Sequence, residues 1–260
     1  MKIFVLLALL LPAVTMAGSP FAGTWVMQPE LTTFGDHPME LMIERGGYKR
    51  IGCGTPIEVP ADGADKAVKD QPLFDTMSVR LVDRRRVDVV QKMAGKVTWK
   101  GVYTVSKDPR SMTLEFDEER TSTPVTGTIQ YSRVGEPLAA AHSLSGTWNP
   151  EKMTRLSASG LTMTIRDEEH GLALSWSDGR SAESHLDADD HPLNGYLPAA
   201  QLSVLHPRPD MLAINRKQGI FPVEVSRAFI SDDGRTMTYR QIDWICHGLT
   251  SYVYQKTAAP

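Results

Sequence analysis

The tripeptide Gly-Thr-Trp occurs twice in this chain, at Gly23–Trp25 and Gly146–Trp148. The copies stand 123 positions apart, each with an apolar residue two places before the glycine, Phe21 and Leu144. The likeness continues downstream. "VSKDPRSMTLEF" (Val105–Phe116) matches "ISDDGRTMTYRQ" (Ile230–Gln241) at an offset of 125, and "TIQYSR" (Thr128–Arg133) matches "SYVYQK" (Ser251–Lys256) at 123. Three anchors in one order at nearly one offset indicate a duplicated unit, so a fold that suits one half must suit the other. The reading is two domains, 18–134 and 144–260, joined by a Pro/Ala segment at 135–143 too brief for a flexible tether.

Each unit is patterned as β structure. "MELMIER" (Met39–Arg45) and "LTMTIR" (Leu161–Arg166) alternate at period two, as do "KVTWKGVYTV", "MTLEF", "LALSWS", "FPVEVSRAFI" and "TMTYRQI". Turn signals punctuate them at Gly46-Gly47, Asp62-Gly63, Asp108-Pro109, Asp178-Gly179 and Asp233-Gly234. No long segment carries a helical stripe. Seven or eight short strands in roughly 115 residues fit a sandwich or an up-and-down barrel. The opening motif favours the barrel. A glycine before a tryptophan lets the first strand enter closely while the indole plugs one end. Pairing the first strand with the last then removes both sheet edges. Each last strand carries a tyrosine and, two residues on, a cation: Tyr131 with Arg133, Tyr254 with Lys256. Side chains two apart face the same way, so the cation can stack on the tryptophan. On this reading each unit closes on its own first strand, and Trp25, Arg133, Trp148 and Lys256 are structural closures.

These features together resemble the lipocalin and fatty-acid-binding superfamily. They are closest to an uncharacterised group of exported bacterial lipocalin-like domains with an opening GTW, a central DG, a "VS.DG..MT" hairpin and a closing tyrosine. The resemblance implies an all-β chain of two tandem antiparallel up-and-down lipocalin-like barrels. Three departures stand out: lysine in place of the second closing arginine, Pro109 in place of the hairpin glycine, and no sign of the longer mid-chain lipocalin motifs.

The first seventeen residues, "MKIFVLLALLLPAVTMA", have a basic start, an apolar run and a small residue at Ala17. They read as a signal peptide cleaved after Ala17, placing the mature protein in the periplasm or outside the cell. No other stretch approaches twenty apolar residues, so the mature chain is expected to lack a membrane span. The formal net charge of −3 provides no basic domain for nucleic acid. The one dense cation run, Arg84–Arg86, is flanked by Asp83 and Asp88 and reads as a solvated turn. Cys53 and Cys246 fall at unrelated places in the repeat. In an oxidising compartment they either bridge the halves or remain two buried thiols.

An eight-stranded barrel is just wide enough to hold one small ligand or to be filled by side chains. The candidate pocket walls are Trp99, Tyr103 and Phe116 in the first unit and Trp176 in the second, each on an apolar face (Val97, Trp99, Tyr103 and Val105; Met112, Leu114 and Phe116; Leu172, Leu174 and Trp176). Phe221, Val223, Val225 and Phe229 fall out of phase with Trp99 and Tyr103. Either a bulge shifts them or an apolar outer face docks another surface, the other barrel or a protein partner including a second copy. "HLDADDHP" gathers His185, Asp187, Asp189, Asp190 and His191, which bear on metal binding, but the spacing is not that of an EF-hand and the equivalent "PADGADK" has no histidine. It reads as a solvated turn, and no metal or cofactor is expected. Catalytic signatures are absent. The reading is an exported binder of a small hydrophobic or amphipathic molecule. One alternative is a lipocalin-fold hydratase or isomerase, with His170 and Glu224 as groups to check. The other is a solid-core interaction protein of the cell envelope.

Overall fold

The computed structural model describes residues 18–52, 54–138, 141–243 and 248–257. The signal-peptide segment 1–17 and the two cysteines, Cys53 and Cys246, lie outside the described residues. The chain is all-β and forms two nearly closed antiparallel sheets, one of ten strands and one of eleven. Among the described residues no helix is long and apolar enough to cross a membrane.

Barrel I runs as a meander from strand Met39–Glu44 to strand Val125–Val134, and is closed by strand Gly146–Leu156, which pairs with both. Barrel II runs from Thr162–Glu168 to Leu249–Lys256, and is closed by the N-terminal strand Gly23–Met27, which lies between those two. The two Gly-Thr-Trp strands are therefore exchanged relative to the expected halves. Trp25 sits opposite Met163 and Lys256, and Trp148 opposite Met39 and Arg133. This corrects the expectation that each unit, 18–134 and 144–260, closes on its own first strand. Either Gly-Thr-Trp strand matches either closing strand chemically, so nothing in the motif encodes which barrel it joins.

The plug itself is built alike in both barrels. Trp25 and Trp148 are fully buried. Each indole N–H donates to the carbonyl four residues before it, Trp25 Nε1 to Phe21 O at 2.7 Å and Trp148 Nε1 to Leu144 O at 2.8 Å. The Arg133 guanidinium lies 4.1 Å from the Trp148 ring and the Lys256 ammonium 5.1 Å from that of Trp25. Gly23 and Gly146 have φ of 138° and 141°, a conformation that favours glycine, and a Cβ on either would strike Lys256 or Arg133. The tryptophan belongs to the core it plugs. Phe21 and Trp25 pack with Met163, Ile165 and Leu202, whereas Leu144 and Trp148 pack with Leu41, Val79 and Met112.

The barrels are not fully hydrogen-bonded shut. In barrel I the sheet order ends at Ile57–Pro60 and Lys66–Ala67, and in barrel II at Ser181–Ser184 and His191–Pro192. An isolated bridge between Ser181 and Asn194 ties the second seam.

The bulge accounts for Val223, whereas Val225 and Phe229 remain on the face opposite Glu224, Ser226 and Ala228. Register shifts fall between Gln91 and Lys92 and between Arg216 and Lys217, the same place in each repeat. Val223 and Glu224 are consequently both buried, and the strand turns Glu224, Ser226 and Ala228 inward. Phe229 lies outside between the guanidinium groups of Arg208 and Arg240, and Phe221 stands exposed beside Ile220 at a hairpin tip. The first shift likewise takes Val97 off the core-facing row of Trp99, Tyr103 and Val105.

Candidate functional site

The interiors are not filled solid. A cavity of about 330 Å³ opens where the barrels meet, walled by Trp99, Phe116 and Arg120 of barrel I and by Trp176, Tyr239 and Tyr254 of barrel II. A second, of about 220 Å³, lies within barrel I beside Arg50, Tyr103 and Tyr131. Leu73, Trp99, Arg120 and Asp243 line both, so the two spaces adjoin. Of the four wall residues named from the sequence, Trp99, Phe116 and Trp176 line the larger cavity, and Trp99 and Tyr103 the smaller. Each wall aromatic arrives by ordinary strand alternation. Gly101 leaves room beside Trp99, whose ring folds over it.

The cavity also holds charge. Glu118 and Arg120 pair across one strand end of barrel I. In barrel II Arg180 Nε donates to Asp178 Oδ2 at 2.8 Å, and Arg216 Nε to Glu224 Oε2 at 3.1 Å. Arg120 and Arg216 flank the Tyr196 ring at 5.8 and 5.0 Å, one guanidinium from each barrel, while Arg180 lies 4.9 Å from the Trp176 ring. Three guanidinium groups, of Arg120, Arg180 and Arg216, face four carboxylates, of Glu118, Asp178, Glu224 and Asp243, across the lining. Burying them unpaired would cost several kcal/mol each, as an order of magnitude.

Glu224 is the centre of this network. Its Oε1 accepts from Ser226 Oγ at 2.7 Å and from the Tyr239 hydroxyl at 2.8 Å. Burial pushes its carboxyl up, but Arg216, Ser226 and Tyr239 together outweigh that and hold it below the usual carboxylate range. Burial raises the Tyr239 phenol well above its ordinary value, and the adjacent Glu224 charge adds to the effect. Burial pushes Tyr254 up to about 12. Arg216 Nη1 is buried and has no hydrogen-bond acceptor among the described residues. His170, the other group singled out for acid–base chemistry, is exposed at a turn beside Glu169, away from both cavities.

The aromatic walls were visible as period-two alternation. The arginines were not. Arg120 and Arg180 follow acidic turn sequences, "DEER" and "SDGR", that read as solvent-facing. In the fold both are part-buried where the barrels meet: Arg120 lies over Tyr196 of barrel II, and Thr123 of barrel I donates its N–H to Asp178 O of barrel II at 2.9 Å. No protein-family model matches the chain. No curated protein matches it in sequence.

Proposed function

We propose that the protein is an exported, lipocalin-like carrier that holds one small amphipathic molecule per chain in the cavity walled by both barrels. The observation that carries this is Arg216 Nη1, a buried donor with no acceptor among the described residues, at a cavity walled by aromatic and aliphatic side chains beside paired charges. A ligand with an anionic or carbonyl head satisfies that donor, and its apolar body lies against Trp99, Phe116 and Trp176. At about 25 cal/mol per Å², burying some 200 Å² of apolar ligand surface contributes about 5 kcal/mol before the costs of association. Export rests on the basic start and apolar run of the first seventeen residues, and the lipocalin likeness on the duplicated Gly-Thr-Trp closure.

Acid–base catalysis fits this lining less well. Two buried carboxylates line it: Asp178, which accepts from Arg180, and Glu224, which already accepts two hydroxyls and an arginine. A carboxylate held below its usual range is a poor base near neutral pH.

The test is native mass spectrometry of the purified protein, followed by displacement of a fluorescent fatty acid. The expected result is a single adduct per chain and displacement by long-chain carboxylates more readily than by the matching alcohols. The Arg216→Met, Glu224→Gln double variant, which leaves the net charge of the lining unchanged, should lose that preference, and Trp176→Ala should weaken both ligands. No adduct and no displaceable probe would refute the carrier reading.

A further inference from the structure

The seam of barrel II carries a side-chain cluster with no part in the cavity. His185 follows one seam strand, His191 begins the other, and Asp187 lies between. His191 Nε2 is 3.3 Å from Asp187 Oδ1, and His185 Nδ1 is 4.0 Å from Asp187 Oδ2. The two imidazoles are 5.1 Å apart, centre to centre. One ligand atom from each of the three residues falls within 4.8 Å of the others. Tetrahedral bonds of about 2.0–2.2 Å to zinc separate neighbouring ligand atoms by about 3.4 Å, so a small contraction of the turn closes the set. The chemistry suits a borderline cation: two imidazoles and one carboxylate.

The duplicated barrel supplies an internal comparison. At the same seam of barrel I, Asp62 stands at the position of Asp187, Lys66 at that of His191 and Pro60 at that of His185. The turn geometry is shared. Ala64 N–H donates to Asp62 Oδ1 at 2.9 Å, as Asp189 N–H does to Asp187 Oδ1 at 3.0 Å. In barrel I the carboxylate is matched by the Lys66 ammonium at 3.0 Å. Barrel II replaces that fixed cation with one imidazole and adds a second. The replacement removes an ammonium and sets two ring nitrogens beside the carboxylate, a donor set that takes a divalent ion. The Asp189 N–H holds the Asp187 carboxyl below its usual range. Of the neighbouring charges, Asp190 is engaged by Lys217 at 2.6 Å and is not a ligand in this arrangement.

We propose that His185, Asp187 and His191 form a site for a divalent transition ion of the zinc class, which clasps the seam of barrel II where barrel I uses an aspartate–lysine pair. Three protein ligands leave one position for water, and the side chains are 62, 38 and 21 % exposed, so the ion enters from solvent.

The experiment is calorimetric titration of tag-free, chelator-treated full-length protein with zinc, with magnesium as the comparison ion. The expected result is one zinc per chain and no saturable magnesium binding. His185→Ala, Asp187→Asn and His191→Gln should each weaken zinc tenfold or more, and His170→Ala should not. Zinc should also slow amide exchange in Ser181–Ser184 of the wild type, a readout that shows the folded seam responding, and should fail to do so in His191→Gln. Absence of saturable zinc binding, equal binding of magnesium, or unchanged affinity in the two histidine variants overturns the proposal.

Discussion

Replacing Trp25 by alanine tests the strand exchange directly, because its effect should appear at the far end of the sequence. Trp25 is fully buried, donates its indole N–H to Phe21 O at 2.7 Å and carries Lys256 over its ring at 5.1 Å. Large aromatic-to-alanine truncations in cores cost about 3–5 kcal/mol. Against a domain stability of about 5–15 kcal/mol, that is a substantial share of the total. At about 1.4 kcal/mol per factor of ten, the opening constant should rise from about a hundredfold to several thousandfold. Hydrogen exchange followed by mass spectrometry locates the opening. In Trp25→Ala, protection should fall in Thr162–Glu168 and Leu249–Lys256, the two strands that flank Gly23–Met27, while Met39–Glu44 to Val125–Val134 keeps its own. Trp148→Ala should produce the mirror image, opening Met39–Glu44 and Val125–Val134. If Trp25→Ala instead exposes barrel I, the chain closes each half on its own first strand and the exchange is wrong.

The two closing cations should not be equivalent. Arg133 donates to Pro109 O, Ser145 O and Ser143 O, whereas among the described residues Lys256 donates one side-chain hydrogen bond, to Pro20 O at 3.3 Å. Arg133→Lys should therefore lower the urea midpoint by more than Lys256→Met, by about 1–3 kcal/mol after conversion. Gly146→Ala should destabilise by more than about 1 kcal/mol, since φ of 141° and the adjacent guanidinium both oppose a Cβ, and thermal melting measures it. On the alkaline side, burial raises Tyr48, Tyr103, Tyr131, Tyr239, Tyr252 and Tyr254 above the ordinary phenol value of 10.0, with Tyr254 reaching about 12. The folded state thus binds these protons more tightly than the unfolded chain. Stability is intact below pH 10 and should fall as the pH rises from about 10 through 12, with cooperative tyrosinate absorbance marking the loss.

The duplication, the β class and the aromatic plug were legible because each depends on local residue choice. Gly23 and Gly146 need their φ, and Trp25 and Trp148 need their cations, wherever the partner strand comes from. Which closing strand each joins is a long-range choice between two chemically matched alternatives, and no local signal distinguishes them. Phase was legible only up to the bulges. Val97 and Val223 sit where the ladder slips, so counting by twos across them assigns the wrong face. The cavity's arginines were hidden for a different reason: Arg120 and Arg180 look solvated in sequence, and the fold sets both at a part-buried cavity lined by the two barrels.

The exchange has a consequence for synthesis. Barrel I is complete once residue 156 has emerged, but barrel II lacks its seal until the last strand, Leu249–Lys256, is made. Through that interval Gly23–Met27 is a ready-made edge with a sister docking place, Val125–Val134, already present in the chain. The order of emergence sets up a competition in which Gly146–Leu156 must claim that place first, or evict an early occupant, before the N-terminal segment reaches its own destination.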